Sequence, residues 1–174
     1  LSEVCPIEFG DHFSCHFTDC CRDGFLLCGT DFGRELSRDE IWDDDVYRDL
    51  YENSFEVYAF LDRNGGGPRE IVRQSNRYYN SAKLLGDTLY ISSAGNQDIE
   101  AVNILTGDRK TLCALPQNLI MDVMGDTLCC REWNLGENPK WYFVNTGTGE
   151  ITHSSLVVRC NGWSVDFRGE TASD

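Results

Sequence analysis

The sequence is poor in basic residues, with 15 lysines and arginines against 29 acidic side chains and a net charge of −14. Proteins that bind nucleic acids or anionic membranes depend on clustered lysine and arginine. No apolar run approaches the ~20 residues that a membrane-spanning helix needs. We therefore expect no nucleic-acid partner, no attachment to anionic lipid and no membrane span.

Recognisable catalytic and cofactor motifs are also missing. The three histidines, His12, His16 and His153, lie in neither a Gly-x-Ser-x-Gly nor a His-Glu-x-x-His pattern. The glycine run at 65–67 lacks the Lys-Ser/Thr of a phosphate-binding loop, so it is interpreted as a hairpin tip. The residues indicate no cofactor, and they favour binding over catalysis.

The beginning of the chain carries little information about its compartment. Residues 1–10 lack the basic and apolar regions of a signal peptide, and the first residue is Leu1 instead of Met. We interpret this start as a boundary or a processed end, so the residues leave the localisation unknown.

Nine cysteines are present, and an odd number leaves at least one thiol without a disulfide partner. Cys113, Cys129 and Cys130 lie in apolar runs, where a reduced cysteine behaves as a small hydrophobic residue. We expect mostly core thiols, which argues weakly against a strongly oxidising compartment.

Two clusters contain residues of the types that bind metal ions, but neither has the spacing of a metal site. The cluster at 15–21 (Cys15, His16, Cys20, Cys21) contains only one half of a zinc pattern, and strand alternation would place its last two thiols on opposite faces. Core or half-exposed thiols are the better interpretation, with a Cys5–Cys15 disulfide as an alternative based on proximity alone. Three consecutive aspartates at 43–45 would point in different directions from a helix. We predict no metal site.

The strongest signal is an internal repeat. Gly-Asp-Thr-Leu occurs at 86–89 and again at 125–128, an offset of 39 residues. Downstream, the Val-Asn-Ile-Leu-Thr-Gly-Asp sequence at 102–108 matches the Val-Asn-Thr-Gly-Thr-Gly-Glu sequence at 144–150, an offset of 42 residues. Glycine with aspartate between short apolar runs is typical of a hairpin turn.

Each repeat therefore predicts four short antiparallel strands rich in β-branched and aromatic residues. The predicted strands of two units, at 79–114 and 118–158, are 79–85, 88–93, 98–104, 109–114, 118–124, 127–133, 140–145 and 150–158. A degenerate first unit at about 17–75 contains hairpins around the Arg22-Asp23-Gly24 and Arg63-to-Gly67 turns. Its length exceeds the later repeat by 23 residues, which matches an insertion within 31–54. Residues 163–174 are predicted to begin a further unit of the same single domain, 1–174.

Four-stranded units of about 40 residues resemble β-propeller blades. The Val-Asn-x-x-Thr-Gly-(Asp/Glu) hairpins are similar to those of bacterial TolB-like and related extracellular propellers. The resemblance covers residues 17–158 and implies an all-β fold of repeated antiparallel units with one short helical insertion. It also implies a bacterial cell-surface or extracellular location. Because propellers typically have four to eight blades, three units leave open ends, and we expect self-association through open blade edges.

The insertion at 31–54 predicts one short amphipathic helix. Ser37 and Glu40 form a capping-box pattern, and apolar residues follow at helical spacing (Trp42, Val46, Tyr47, Leu50). Such a stripe usually packs on its own domain. The alternative is a lid or a contact surface for a partner, with Trp42 and Tyr47 as binding residues.

Trp133 and Trp163 are two further candidate binding residues, as aromatic platforms for a sugar or a peptide. Trp133 precedes a polar loop and is expected to be exposed. Alternation places Trp141 with Phe143 on one strand face and Tyr142 with Val144 on the other, so both faces should be covered.

The preferred interpretation is a non-catalytic binding or assembly module for a protein or glycan ligand. One alternative is a carbohydrate-active hydrolase or lyase, which rests on fold analogy alone. Another is a structural segment of a larger exported protein. Two facing carboxyl groups with raised pKa values would favour the enzyme, whereas an exposed apolar patch would favour binding.

Overall fold

A computed structural model describes residues 13–20, 23–76, 80–93, 98–115, 119–132 and 140–154. The chain divides into two compact units. Unit 1 comprises residues 1–78 with 104–107, and unit 2 comprises residues 79–103 with 108–174. Each unit is described separately below.

Unit 1 contains a four-stranded antiparallel sheet in the order β1-β2-β3-β4, with two helices between β2 and β3. The strands are β1 (Phe13–Cys20), β2 (Gly24–Asp31), β3 (Phe55–Asp62) and β4 (Arg69–Ser75). The helices are α1 (Arg38–Trp42) and α2 (Asp44–Glu52). The insertion is thus helical as predicted, but it contains two helices instead of one.

Unit 2 contains two sheets of the same kind, in the orders β5-β6-β7-β8 and β12-β11-β10-β9. Their strands are β5 (Asn80–Leu85), β6 (Thr88–Ser93), β7 (Asp98–Asn103), β8 (Arg109–Ala114), β9 (Leu119–Met124), β10 (Thr127–Glu132), β11 (Trp141–Asn145) and β12 (Ile151–Ser154). The described part of the chain therefore has an all-β, propeller-blade-like architecture with a helical insertion, which confirms the predicted fold class. The further unit expected at 163–174 lies outside the described residues.

The glycines of the repeated Gly-Asp turns have the backbone conformation that the sequence predicted. Gly86 and Gly125 have φ angles of 59° and 62°, in the left-handed region that side chains disfavour. The corresponding Gly24 is different, because it begins β2 opposite Asp62 and its φ is not positive. A β-carbon at Gly24 would lie 2.2 Å from the carbonyl oxygen of Leu61, so close backbone approach is the reason for glycine there.

The sheet of unit 1 is buried on both faces in its central strands. Successive residues Leu26 to Thr30 of β2, and Val57 to Phe60 of β3, are all buried. Arg69 stabilises the edge of this unit, since its guanidinium donates hydrogen bonds of 2.7 Å to the carbonyl oxygens of Ile104 and Leu105. The insertion therefore connects two strands, β2 and β3, whose central residues are buried on both faces of the sheet.

The core of unit 2 lies between its two sheets. The sheet of β5 to β8 supplies Tyr90, Ile99 and Ala101. The sheet of β9 to β12, called the third sheet from its order in the chain, supplies Met121, Leu128, Cys130, Tyr142 and Val144. At the inner strands, the Met121 amide donates to the Ser81 hydroxyl at 2.9 Å. The repeats therefore pack face to face in unit 2, as propeller-like units do.

The opposite side of the third sheet is less covered. We define the outer face of the third sheet as Met124, Cys129, Arg131, Trp141 and Phe143, which the strand register places on one side. Met124 is exposed and the other four are half-buried. The Trp141 and Phe143 rings stack with centroids 6.5 Å apart, and Arg131 lies over Trp141. Both faces were expected to be covered; Tyr142 and Val144 are buried, whereas Trp141 and Phe143 on the outer face are covered only in part.

Candidate functional site

The insertion is anchored where β2 ends. Asp31 accepts a hydrogen bond of 2.7 Å from the Gly33 amide, which turns the chain away from the sheet. The other Asp31 oxygen pairs with Arg73 of β4 at 2.9 Å. Arg73 also holds Glu70 and lies over the Phe55 ring, so both ends of the insertion are attached to the same arginine.

The first helix begins with the predicted capping box. The Ser37 hydroxyl accepts from the Glu40 amide, and the Glu40 carboxylate accepts from the Ser37 amide at 2.9 Å. Arg34 adds two hydrogen bonds to the same carboxylate, at 3.1 and 2.5 Å. The hydrogen bond from Arg34, followed by those from Ser37, lowers the pKa of Glu40 to about 2.

Asp43 divides the insertion into two helices. It ends α1, and its carboxylate then accepts from the amides of Asp45 and Val46 as the N-cap of α2. Asp45, the third of the consecutive aspartates, forms an ion pair with Arg48. Among the described residues, no group of three or more histidine, cysteine, aspartate or glutamate side chains is arranged to hold a metal ion.

The apolar stripe of the insertion is not covered by the domain that carries it. Neither helix contains a buried residue. Trp42 is 76% exposed and Val46 is also exposed, whereas Tyr47 and Leu50 are half-buried. The expectation that this stripe packs on its own domain is therefore wrong for Trp42 and Val46. Tyr47 does pack there, since its ring contacts Phe32 at a centroid distance of 5.8 Å.

Exposed apolar side chains are concentrated in this region. Of the described residues, eight large hydrophobic side chains are exposed, and five lie between positions 41 and 55: Ile41, Trp42, Val46, Tyr51 and Phe55. Isolated exposed apolar residues are ordinary on protein surfaces, whereas concentrations of them mark interaction sites. The structure thus brings Trp42 and Tyr47, two of the predicted binding residues, into the same surface region.

A cleft of about 220 Å³ adjoins this surface in unit 1. It is lined by β1, the loop after β2 and both helices, through Phe13, Ser14, Phe32, Arg34, Glu35, Leu36, Ile41 and Tyr47. Pockets for drug-sized ligands are about 300–1,000 Å³. The cleft is therefore too small for such a ligand and suits a single apolar side chain of a partner. Of the residues lining it, only Tyr47 was predicted, because the others come together through the path of the loop.

The other candidate residues have varied outcomes. Trp133 and Trp163 lie outside the described residues, so their binding roles stay predictions. Cys20 of the cysteine-histidine cluster is exposed, whereas Cys5 and Cys21 also lie outside the described residues. Of the other described thiols, Cys28 and Cys130 are buried, Cys113 and Cys129 are half-buried, and Cys15 is exposed, so the expectation of mostly core thiols does not hold for the described cysteines.

One buried group of titratable side chains lies within the sheet of unit 1. Cys28 and Tyr58 are buried, and the Cys28 sulfur lies 3.8 Å from Glu56 Oε1. Burial, followed by the charge of Glu56, raises the pKa of the Cys28 thiol to about 12. Such a thiol stays protonated and is a poor nucleophile. His153, the histidine whose side chain is described, is exposed and contacts the Tyr142 ring edge-on.

Comparisons with known proteins concern the fold. No protein-family model and no curated protein match this chain. A solved structure titled "Crystal structure of Nidogen/Laminin Complex" is similar, with 19% sequence identity and a TM-score of 0.43. The alignment covers 76% of this chain and 44% of that chain, so the chain spans less than half the length of that structure. No helix among the described residues is long and apolar enough to cross a membrane.

Proposed function

We propose that this protein is a non-catalytic binding module whose propeller-like sheets present the helical insertion to a protein partner. The observation that carries the proposal is the exposure of the insertion: its two helices bury no residue, Trp42 is 76% exposed, and the adjacent Ile41 lines a small cleft. Protein-interaction hot spots combine exposed aromatic residues with small apolar pockets. A resemblance to the TolB-like type of extracellular propeller agrees with a binding role and is part of this proposal.

The geometry favours a protein over a glycan or a hydrolysable substrate. Carbohydrate hydrolysis needs a carboxylic acid with a raised pKa close to a second carboxylate. Glu40 is paired with Arg34 of the cleft lining, and its pKa is shifted downwards because Arg34 and Ser37 donate hydrogen bonds to it. The aromatic rings of the cleft are also engaged with each other, since Tyr47 contacts Phe32 and Tyr51. A flat platform for a sugar ring is thus not what these residues form.

The proposal is tested by selecting ligands from a random linear peptide library displayed on phage, with the whole chain as bait. Selected peptides should lose about tenfold in affinity, or ~1.4 kcal/mol, when Trp42 or Ile41 is replaced by alanine. Phe25→Ala is the control, because Phe25 is 36% exposed and lies outside both the insertion and the lining of the cleft.

Circular dichroism checks that each variant folds. If the selected peptides bind Trp42→Ala and Ile41→Ala as well as the unaltered chain, the insertion is not the docking surface and the proposal is wrong. The same conclusion follows if Phe25→Ala alone weakens the binding of the selected peptides.

A further inference from the structure

We infer that the insertion binds a basic protein segment that places one apolar side chain in the cleft. This inference rests on the proposed function and adds the chemistry of the partner. Its first basis is charge: residues 31–54 contain nine acidic and three basic side chains, so 24 residues carry −6 of the chain's net −14. An excess of this size on one surface attracts positively charged partners and repels negative ones.

The basic residues of the insertion do not neutralise this surface. Arg34 pairs with Glu40, and Arg48 pairs with Asp45. Several carboxylates have no cation within ion-pair distance among the described residues: Glu35, Asp39, Asp44 and Glu52. These four carboxylates therefore remain available to a basic partner.

The acidic and apolar faces of the insertion border each other, as a mixed ligand would require. Helical spacing places Val46, Tyr47, Leu50 and Tyr51 on one side of α2 and its charged residues on the other. Glu35 lines the cleft together with Phe32 and Ile41. Arg34 also lines it, but its charge is paired with Glu40, so among the described residues the Glu35 carboxylate is the unpaired charge of the lining. A partner with an apolar side chain flanked by lysine or arginine satisfies both features.

Other occupants fit this surface less well. A second copy of the chain would bring the same −6 insertion against it, which costs repulsion at low salt. Nucleic acids and anionic lipids are repelled for the same reason. A basic amphipathic segment is therefore the ligand whose charge and shape both agree with the insertion.

The test measures the binding of three dye-labelled synthetic peptides by fluorescence anisotropy, at low and at physiological salt. One peptide has leucine and lysine at amphipathic helical spacing, the second has glutamine in place of lysine, and the third has glutamate. The leucine–lysine peptide should bind most tightly, and added salt should weaken its binding. The leucine–glutamate peptide should bind least.

Two double variants test whether the charge acts locally. Asp44→Asn with Glu52→Gln should weaken the leucine–lysine peptide by about threefold to tenfold at low salt, as expected for two surface charges. Asp23→Asn with Glu150→Gln removes the same net charge outside the insertion and should have a smaller effect. Ile41→Ser should weaken the leucine–lysine and leucine–glutamine peptides alike, because it alters the cleft.

The outcomes separate this inference from the proposed function. If the leucine–glutamine peptide binds as tightly as the leucine–lysine peptide and depends on Ile41, docking at the insertion stands and the basic partner is wrong. If the control pair weakens binding as much as the insertion pair, the attraction belongs to the whole chain and the inference is overturned. If no peptide depends on Ile41, both the inference and the proposed function fail.

Discussion

At the scale of single residues, the repeated turns show how a short motif constrains the backbone. Gly86 and Gly125 both follow an apolar strand and both have positive φ angles. A β-carbon at either position would meet no atom within 4 Å. The need for glycine therefore comes from the backbone conformation alone, which is why a four-residue repeat was enough to predict these turns.

Replacing either turn glycine by valine should destabilise the fold. A β-branched residue at positive φ is strained, and the cost is about 1–3 kcal/mol. Gly67→Val is the control, because Gly67 has open surroundings and its φ is not positive. Urea unfolding measures the effect, and unchanged midpoints for Gly86→Val and Gly125→Val would show that these turns tolerate side chains.

At the scale of elements, the insertion shows that a short sequence motif can locate the start of a helix without indicating where the helix ends. The capping box of Ser37 and Glu40 could be recognised in the sequence, because both partners lie within one turn of the helix. The break at Asp43 was not predicted, because three consecutive aspartates do not indicate which carboxylate will turn back to cap a helix. Only the folded chain shows that Asp43 accepts from two amides of α2.

Removing the Glu40 side chain should loosen α1 without unfolding the sheets. Glu40→Ala removes the contacts with Arg34 and Ser37, although alanine itself favours helix. The amides of Ile41 and Asp43, which bond to Ser37 and Asp39, should exchange hydrogen several-fold faster. Asp39→Ala is the control, and equal exchange in both variants would contradict a special role for Glu40.

The same contact has a defined pH dependence. The pKa of Glu40 is lowered from 4.5 to about 2, so its stabilising contribution is present above pH 4.5 and is lost as the pH falls towards 2. The protection of the two amides should follow this window in the unaltered chain and should be absent from Glu40→Ala.

At the scale of the whole molecule, the repeat indicates which surface remains available for assembly. At an offset of 39 residues, Cys129 corresponds to Tyr90, which packs in the core between the two sheets of unit 2. The outer face of the third sheet therefore corresponds, in the repeat, to the face of the β5–β8 sheet that packs against the third sheet. Its exposed Met124 and half-buried Trp141 agree with a surface that associates.

We propose that this face mediates self-association of the chain. The mass measured by light scattering after size exclusion should rise with protein concentration, and more so at higher salt, because screening reduces repulsion between chains of charge −14. Met124→Asp should keep the chain monomeric, whereas Phe25→Asp, at a residue that is 36% exposed in unit 1, should not. A monomeric mass at every concentration would contradict this role for the outer face.

The strand pattern could be predicted from residues alone because its causes are local. Alternating apolar residues and turn glycines set the strands of both sheets of unit 2 to within a few residues, and the capping box located the start of the insertion helix. Each of these signals acts over fewer than about ten residues, through hydrogen bonds and backbone sterics that the chain carries with it.

The candidate site arises from contacts between residues that are distant in the chain. Phe13 and Tyr47 line one cleft only because β1 pairs with β2 and the insertion returns beside them. Helical spacing predicted that Trp42 and Tyr47 belong to one stripe, but the break at Asp43 places them in different helices. Their burial depends on what packs against each of them, and here the Tyr47 ring contacts Phe32 while Trp42 stays exposed. The sequence therefore specifies the sheets and the helices, and tertiary packing specifies which apolar surface remains open to a partner.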